Sequence, residues 1–435
     1  MSTITALDQA SPAQAPALKV AILGFGTVGS AVARILCDQP QHSPLRLTQI
    51  FNRNVDRKRV DWVNDDVRWS SDVEQVLASD ADIIVELVGG LDPAGDWVSR
   101  ALISGKSVVT ANKKLIAQHG PQLSALAHKH GGALAFGASV AGGVPVIDAL
   151  QEGLAGDQLY KVCGVLNGTC NYILTKVERE GVSFEAALAE AQSAGFAEAD
   201  PTDDVDGFDA RAKLVILSRI GLKAVVQPEQ IPCSSIRSLG AVDFIYAHDL
   251  GCTIRQISRA ERRDGHIYAS VQPALVPIES PMAHITGSLN IVLSTGKYGG
   301  QTAFSGHGAG GHSTAVAVVS DLLDIARGRR GANVRQRAAA DELPVTGNFA
   351  SKYYLRFTVR DRSGIVAAIA NALAAHGINI DALLQKPGFD KDALPFVVTL
   401  EHCPAEQLEK AMHDIRKLDF LVHAPLTMPI LTKEL

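Results

Sequence analysis

The chain has no paired metal-ligand cysteines, no apolar run of membrane length, no excess of positive charge and no leader-like start. Each absence narrows what it can be. Its six cysteines (Cys37, Cys163, Cys170, Cys233, Cys252 and Cys403) lie far apart and form no C-x-x-C pair. That spacing indicates neither a zinc ribbon nor a disulfide framework, and it fits a reducing, cytoplasmic setting. No stretch of about 18 consecutive apolar residues is present to span a bilayer, so no membrane partner is expected. A formal charge of -5 leaves no basic footprint, which argues against a nucleic-acid partner. Residues 1–18 are rich in Ala, Pro, Ser and Gln and lack both a basic start and an apolar core, so they read as a disordered tail and not as a secretory signal.

What is there points to a large, multi-domain α/β protein. With 435 residues, 46% of them apolar and 20% charged, the chain can build two or three cores. Lys19-Val-Ala-Ile-Leu-Gly reads as a buried strand. It runs into Gly24-Phe25-Gly26-Thr27-Val28-Gly29, and Ser30 to Cys37 then reads as a helix. Strand, G-x-G-x-x-G, helix is the dinucleotide fingerprint in its proper context. Gly24 allows the tight turn, Gly26 lets the backbone approach a pyrophosphate, and Gly29 lets helix and strand pack closely. The helix start offers N–H groups and a positive dipole to the phosphates.

Leu45 to Phe51 reads as the next strand. Its end, Phe51-Asn52-Arg53-Asn54, carries no carboxylate for a ribose 2′-hydroxyl, and Arg57, Lys58 and Arg59 follow. Cations there favour a 2′-phosphate, hence NADP over NAD; the plain alternative is a solvated basic turn. Ala81 to Gly90 reads as a buried strand ending in Gly89-Gly90, which can border the nicotinamide. Ser107 to Thr110 is a short strand, and Lys113 follows its tip, where open α/β sheets bind ligands. Residues 19–150 therefore read as a Rossmann-type dinucleotide-binding domain.

Beyond residue 150 the pattern changes to an α+β domain with an open sheet, over 151–305. Strands are expected at Lys161–Leu166, Ile254–Ser258, Ile267–Ala274 and Ser288–Ser294. Asn167-Gly168-Thr169 opens a helix, where Asn167 and Thr169 suit a cap or a small polar ligand. Phe304 to His312 reads as a second glycine-rich loop, and Ser313 to Arg327 as a long helix returning toward the first domain. With the polar linker after it, this covers 306–340. The tail over 351–430 gives the order βαββαβ, with its last strand at Phe420–Pro425; that is a ferredoxin-like unit.

The stretch Glu198 to Lys213 is the richest in chemistry. It holds six carboxylates, at Glu198, Asp200, Asp203, Asp204, Asp206 and Asp209, before Lys213 heads an apolar run. A helix over Phe208–Ser218 puts Asp209 and Lys213 on one face, one turn apart. Carboxylates suit a substrate ammonium group, and a lysine entering a desolvated helix suits proton transfer. Taken alone, the residues fit a solvated acidic loop as well. A calcium loop fits poorly, because no glutamate follows Asp206-Gly207 at the expected position.

Several motifs stand in one order: Gly24-Phe-Gly-Thr-Val-Gly29, Thr110-Ala-Asn-Lys113, Ala138-Ser-Val-Ala-Gly-Gly-Val-Pro145, Leu166-Asn-Gly-Thr-Cys-Asn-Tyr-Ile173, Gly195-Phe-Ala-Glu-Ala-Asp-Pro201, Asp206-Gly-Phe-Asp-Ala-Arg-Ala-Lys213 and Gly308-Ala-Gly-Gly. From Lys19 onward the chain resembles the homoserine dehydrogenases with a C-terminal ACT domain. The resemblance implies NAD(P)-dependent interconversion of L-homoserine and L-aspartate 4-semialdehyde, on the route to threonine, methionine and isoleucine. It implies Lys213 as acid/base and Lys113 beside cofactor and substrate. Glu198 and Asp209 would hold the substrate, with Asn167, Gly168 and Thr169 near it. Gly24 to Gly29, Arg53, Gly89, Thr110, Lys113 and Gly308 would line the cofactor. It also implies a homodimer or homotetramer and feedback by threonine at the ACT domain. The family binds a monovalent cation such as sodium through backbone carbonyls, here those of Val140, Gly142 and Val144. The usual glutamate is Gly137 in this chain, which predicts weak metal binding at most. Two rivals are a non-catalytic sensor of NADP and amino acid, and a phosphorylating semialdehyde dehydrogenase, which needs a cysteine nucleophile.

Overall fold

A computed structural model describes residues 16–38, 43–329 and 340–432. Most of the expected tail and of the linker after Arg329 lies outside these residues. The described chain divides into two compact units. The first takes the residues through Asn112, Pro121–Phe136 and the stretch 318–329; the second takes Lys113–Gly120, Gly137–Ala317 and 340–432.

The first unit is built on a six-stranded parallel sheet. Its order is Arg68–Ser70, Leu45–Phe51, Leu18–Leu23, Ile83–Glu86, Ser107–Thr110, Leu134–Ala135. In chain order this is 3-2-1-4-5-6, the doubly wound arrangement that binds dinucleotides where the strand order reverses. Val20 to Leu23 and Ile83 to Val85 are fully buried, as expected of strands covered on both faces. Strand Ile83–Glu86 is shorter than the apolar run suggests. After Glu86 the chain leaves the sheet, and Gly89 and Gly90 take φ of +78° and +76°, a left-handed backbone that a strand does not tolerate.

The second unit is organised by a mixed sheet. From one edge the strands run Gly300–His307, Leu289–Gly296, Leu159–Val165, Cys252–Arg263, His266–Pro277, Leu426–Ile430, Ala350–Val359, Leu394–Pro404 and Ile380–Leu384. The last four form the ferredoxin-like ACT module, with helices Ile365–Ala375 and Ala405–Ile415. In the second helix Leu408, Ala411, Met412 and Ile415 recur at helical spacing and are buried against Leu355, Phe357 and Val398. This module joins the rest of the sheet through one parallel pairing, Leu275 with Ile430.

Two local expectations are corrected. Phe304 to His307 is not loop: it belongs to the edge strand Gly300–His307, paired with Leu289–Gly296 along its whole length. The edge position leaves one side of the strand in solvent, so its glycines and polar residues carry no burial signal. The final strand is Leu426–Ile430 and not Phe420–Pro425; only Leu421 bridges, to Val359. Pro425 cannot donate to a ladder and marks the strand's start instead.

Candidate active site

Within the first unit, the glycine turn separates three roles. Gly24 has φ +103°, and a Cβ there would lie 2.9 Å from the Leu87 carbonyl oxygen. At Gly29 a Cβ would lie 2.0 Å from the Gly24 carbonyl oxygen, so these two glycines are demanded by packing. A Cβ on Gly26 would meet nothing within 4 Å. This open position caps helix Thr27–Cys37, which has no side-chain cap and no acidic residue in its first turn. Its first N–H groups are left for a ligand, so the turn fits a pyrophosphate. Phe25 points its ring inward, edge-on to Trp69 at 4.8 Å, and offers a ligand only its backbone. Thr27 is exposed and Val28 half-buried on the first turn. Arg53, Arg57, Lys58 and Arg59 are all exposed, and none has a side-chain partner among the described residues.

A buried network missed from the sequence shapes the neighbouring strand tips. Glu86 is fully buried; its Oε1 accepts from the Val88 and Gly89 amides, each at 2.8 Å. Its Oε2 accepts from the Thr110 hydroxyl at 2.6 Å. Thr110 Oγ1 in turn accepts from the Asn112 amide at 2.9 Å, and Asn112 Nδ2 donates to the Gly90 carbonyl at 2.6 Å. A lone carboxylate ending the apolar run Ile83-Ile-Val was the available signal. It fixes the Gly89 turn and the Thr110 tip as one piece.

In the second unit, helix Phe208–Gly221 starts at Gly207 with φ +87°. The helix buries Asp209 and Lys213, which are 5% and 8% exposed. Lys213 Nζ donates to Asp209 Oδ2 and to the Leu166 carbonyl, both at 2.7 Å. Lys113, the first residue of helix Lys113–His130, places its Nζ 2.6 Å from Asp209 Oδ1. Asn167 Nδ2 donates to Asp209 Oδ2 at 2.9 Å and to Asp204 Oδ1 at 2.6 Å. Asn167 Oδ1 accepts from the Cys170 amide at 2.7 Å and so caps helix Gly168–Glu180. Asp209 thus gathers two ammonium groups and an amide.

Burial by itself pushes the Asp209 carboxyl up, but the charges of Lys213 and Lys113 outweigh it and hold the group well below the usual carboxylate range. The same contact raises Lys113. Asp204 behaves oppositely: burial first, then the Asp209 charge, push it up, against the Asn167 bond. Asp204 stood among the six carboxylates of the sequence, but only the fold singles it out.

Other predicted residues fall outside this cluster. Glu198 is exposed, and its carboxylate bonds to none of the described residues; only its main-chain carbonyl accepts, from Gln192 Nε2 at 3.0 Å. Thr169 donates to the Phe196 carbonyl at 2.7 Å. Gly168 lies close to the Ser288 carbonyl, 2.7 Å from where a Cβ would stand. At Gly308 a Cβ would fall 1.1 Å from Asn290 Oδ1, and Asn290 Nδ2 is tied to the Val165 carbonyl at 2.7 Å. That glycine is required by the buried asparagine behind it. In the Val140–Val144 turn, the Val144 carbonyl already accepts from the Val146 amide at 2.7 Å. Among the described residues no three His, Cys, Asp or Glu side chains gather to hold a metal.

Three family models match the chain: "Homoserine dehydrogenase, NAD binding domain" over residues 24–137, "Homoserine dehydrogenase" over 145–323, and "ACT domain" over 353–420. A homoserine dehydrogenase from Synechocystis is 34% identical over 441 residues, covering 95% of this chain and 100% of that protein. The crystal structure of a homoserine dehydrogenase from Thiobacillus denitrificans superposes with a TM-score of 0.87 at 33% identity, covering 95% of this chain and 98% of that one. A hyperthermophilic archaeal homoserine dehydrogenase solved in complex with NADPH gives a TM-score of 0.61 at 28% identity, covering 71% of this chain and 97% of that one.

Proposed function

The chain belongs to the homoserine dehydrogenase family, and from that premise we propose how its own residues perform the reaction. It is an NAD(P)-dependent oxidoreductase acting on a CH–OH group, interconverting L-homoserine and L-aspartate 4-semialdehyde. The bound nicotinamide supplies the hydride acceptor or donor.

The observation that carries the assignment of roles is the bridging of Lys113 and Lys213 by Asp209. Lys213 is the acid/base. Its Nζ is fixed by two acceptors, Asp209 and the Leu166 carbonyl, so one N–H direction stays available to a substrate oxygen. In the reducing direction that N–H polarises the aldehyde oxygen and gives it a proton as hydride reaches the carbon. In the oxidising direction the amine takes the hydroxyl proton as hydride leaves. Lys113 supplies a second positive charge to the developing alkoxide. Asp209 holds both amines in place. Asp204 and Glu198 attract the α-ammonium of the amino acid. Asn167, Gly168 and Thr169 present a helix N-terminus to its carboxylate.

For the cofactor, the free cations Arg53, Arg57, Lys58 and Arg59 support NADP over NAD. The ACT module supports threonine as an effector and a homodimer or homotetramer as the assembly. No helix of the described residues is long and apolar enough to cross a membrane, and we place the enzyme in the cytoplasm. The Val140–Val144 carbonyls, with Gly137 bringing no carboxylate, fit a cation poorly, and no step is routed through one. The phosphorylating rival is disfavoured by Cys170: burial first, then Asp204 and Asp209, push its thiol well up, away from the thiolate that chemistry needs.

One assay decides between these readings. NADPH absorbance is followed with aspartate semialdehyde, in one arm with NADPH and no phosphate, in the other with NADP and phosphate. Turnover independent of phosphate is expected. A strict phosphate requirement would refute the assignment.

A further inference from the structure

Helix Lys113–His130 contains Pro121 in its interior. A proline there has no N–H to give the carbonyl four residues back, and its ring crowds that carbonyl. The carbonyl in question belongs to Ala117. It is met from another helix: Arg219 Nη2 donates to it at 3.0 Å, while Nη1 donates to the Ile116 carbonyl at 2.8 Å. Room for the guanidinium is made by Gly120, where a Cβ would stand 2.6 Å from Nη1. Among the described residues no carboxylate pairs with Arg219, and burial pushes its guanidinium down to about 10. A half-buried charge without a counter-ion is costly, so its role lies in what it holds.

What it holds is the start of the helix that carries Lys113. Residues Lys113–Gly120 belong to the second unit, and the division falls at Gly120/Pro121. Arg219 lies on helix Phe208–Gly221, which also carries Asp209 and Lys213. The short leading segment therefore meets this helix at two points: Lys113 on Asp209, and the Ile116 and Ala117 carbonyls on Arg219. An ion pair alone leaves a lysine free to swing; the second attachment fixes the backbone beneath it. We propose that Arg219 is a positioning residue for the dehydrogenase reaction, holding Lys113 against Asp209 through the carbonyls that Gly120 and Pro121 leave open to it. The proposal rests on Lys113 acting in the site.

The test uses the full-length enzyme with Arg219→Met and Arg219→Gln, the second keeping one donor. In Arg219→Met, kcat is expected to fall about tenfold or more, with a larger primary isotope effect from deuterated NADPH, because a misplaced Lys113 slows the chemical step. NADPH affinity should stay within about twofold of wild type. Arg219→Gln should lie between, and it decides on the same readouts if the Met variant does not fold. A folded variant with wild-type kcat and only a lower Tm reduces Arg219 to plain packing and overturns the proposal. So does a kcat loss that tracks weakened NADPH binding. Lys113→Ala is measured alongside: wild-type turnover there sinks the reading of Lys113 itself, whereas a collapse there beside normal Arg219 variants sinks only the positioning role.

Discussion

Lys213 Nζ and Asp209 Oδ2 lie 2.7 Å apart, one helical turn from each other, with both side chains almost wholly buried. The geometry joins an amine held by two acceptors to a counter-charge that lets it be buried. Lys213→Ala is expected to lower kcat by about a hundredfold or more while KM for homoserine changes far less. Asp209 keeps Lys113 as a partner, so the variant should fold with a reduced Tm. Steady-state kinetics on folded protein check this. A kcat near wild type would remove Lys213 from the chemistry.

Asp204 and Asp209 shift in opposite directions, and this sets a pH signature. Asp204 is raised by burial and by the Asp209 charge. Its folded form keeps a proton above the ordinary carboxylate range, where the unfolded chain has lost it. Its stability contribution is therefore complete below that range and is lost as pH rises through the raised value. Asp209 is depressed; its contribution is present above the ordinary range and is lost only in stronger acid. If Asp204 meets the substrate ammonium, function follows its charge. As pH rises through its raised pKa, the carboxylate forms and KM for the cationic amino group of homoserine should fall. In Asp204→Asn this limb of the KM profile should vanish, and Tm should rise relative to wild type more at neutral than at mildly acid pH. An unchanged profile would take Asp204 out of substrate binding.

The nucleotide fold was legible because it is written locally: a buried strand, three glycines at fixed spacing and a helix start. The pair Asp209 and Lys213 was legible for the same reason, being four residues apart on one helix. Asn167 and Lys113 come from separate segments, and nothing in their spacing says that Asp209 gathers them. Glu86 was hidden inside an apolar run, where a charge reads as noise until its partners Val88, Gly89 and Thr110 are seen. The edge strand Gly300–His307 was lost to its glycines. Only pairing with Leu289–Gly296 explains it, and pairing is not local.

Arg53 stands exposed at the tip of strand Leu45–Phe51, with three further cations close behind it in sequence. If it meets a 2′-phosphate, Arg53→Ala removes a charge-assisted bond. The apparent KM for NADPH should then rise about tenfold, and less if Arg57, Lys58 or Arg59 share the phosphate. KM for NADH should hardly move, and the NADPH effect should shrink as salt is raised. Equal losses for both cofactors would withdraw the preference for NADP.

The ACT module is tied to the catalytic part of its unit by a buried acid. Asp243, on helix Ala241–Asp249, is fully buried and lies 2.8 Å from Arg356 Nε and 2.9 Å from the Tyr354 hydroxyl. Both partners lie on the first strand of the module, Ala350–Val359. Tyr354→Phe removes one neutral donor and should cost about 1 kcal/mol in urea unfolding. Arg356→Met leaves the buried carboxylate without its counter-charge and should cost about 3 kcal/mol or more. Equal costs would mean the ion pair is idle. The residues just before that helix reach the acidic stretch: the Ile236 amide donates to the Val205 carbonyl at 3.0 Å, and Ser235 and Arg237 donate to Asp206 at 2.6 and 3.1 Å. Asp204, which bonds Asn167, lies there in the short helix Thr202–Val205. A ligand that shifts the strand bearing Arg356 therefore has bonded neighbours leading toward Asp204. Arg356→Met should keep basal turnover and blunt any inhibition by threonine while threonine still raises Tm. Inhibition persisting at wild-type concentrations of threonine would show that the effect, if present, travels by another route.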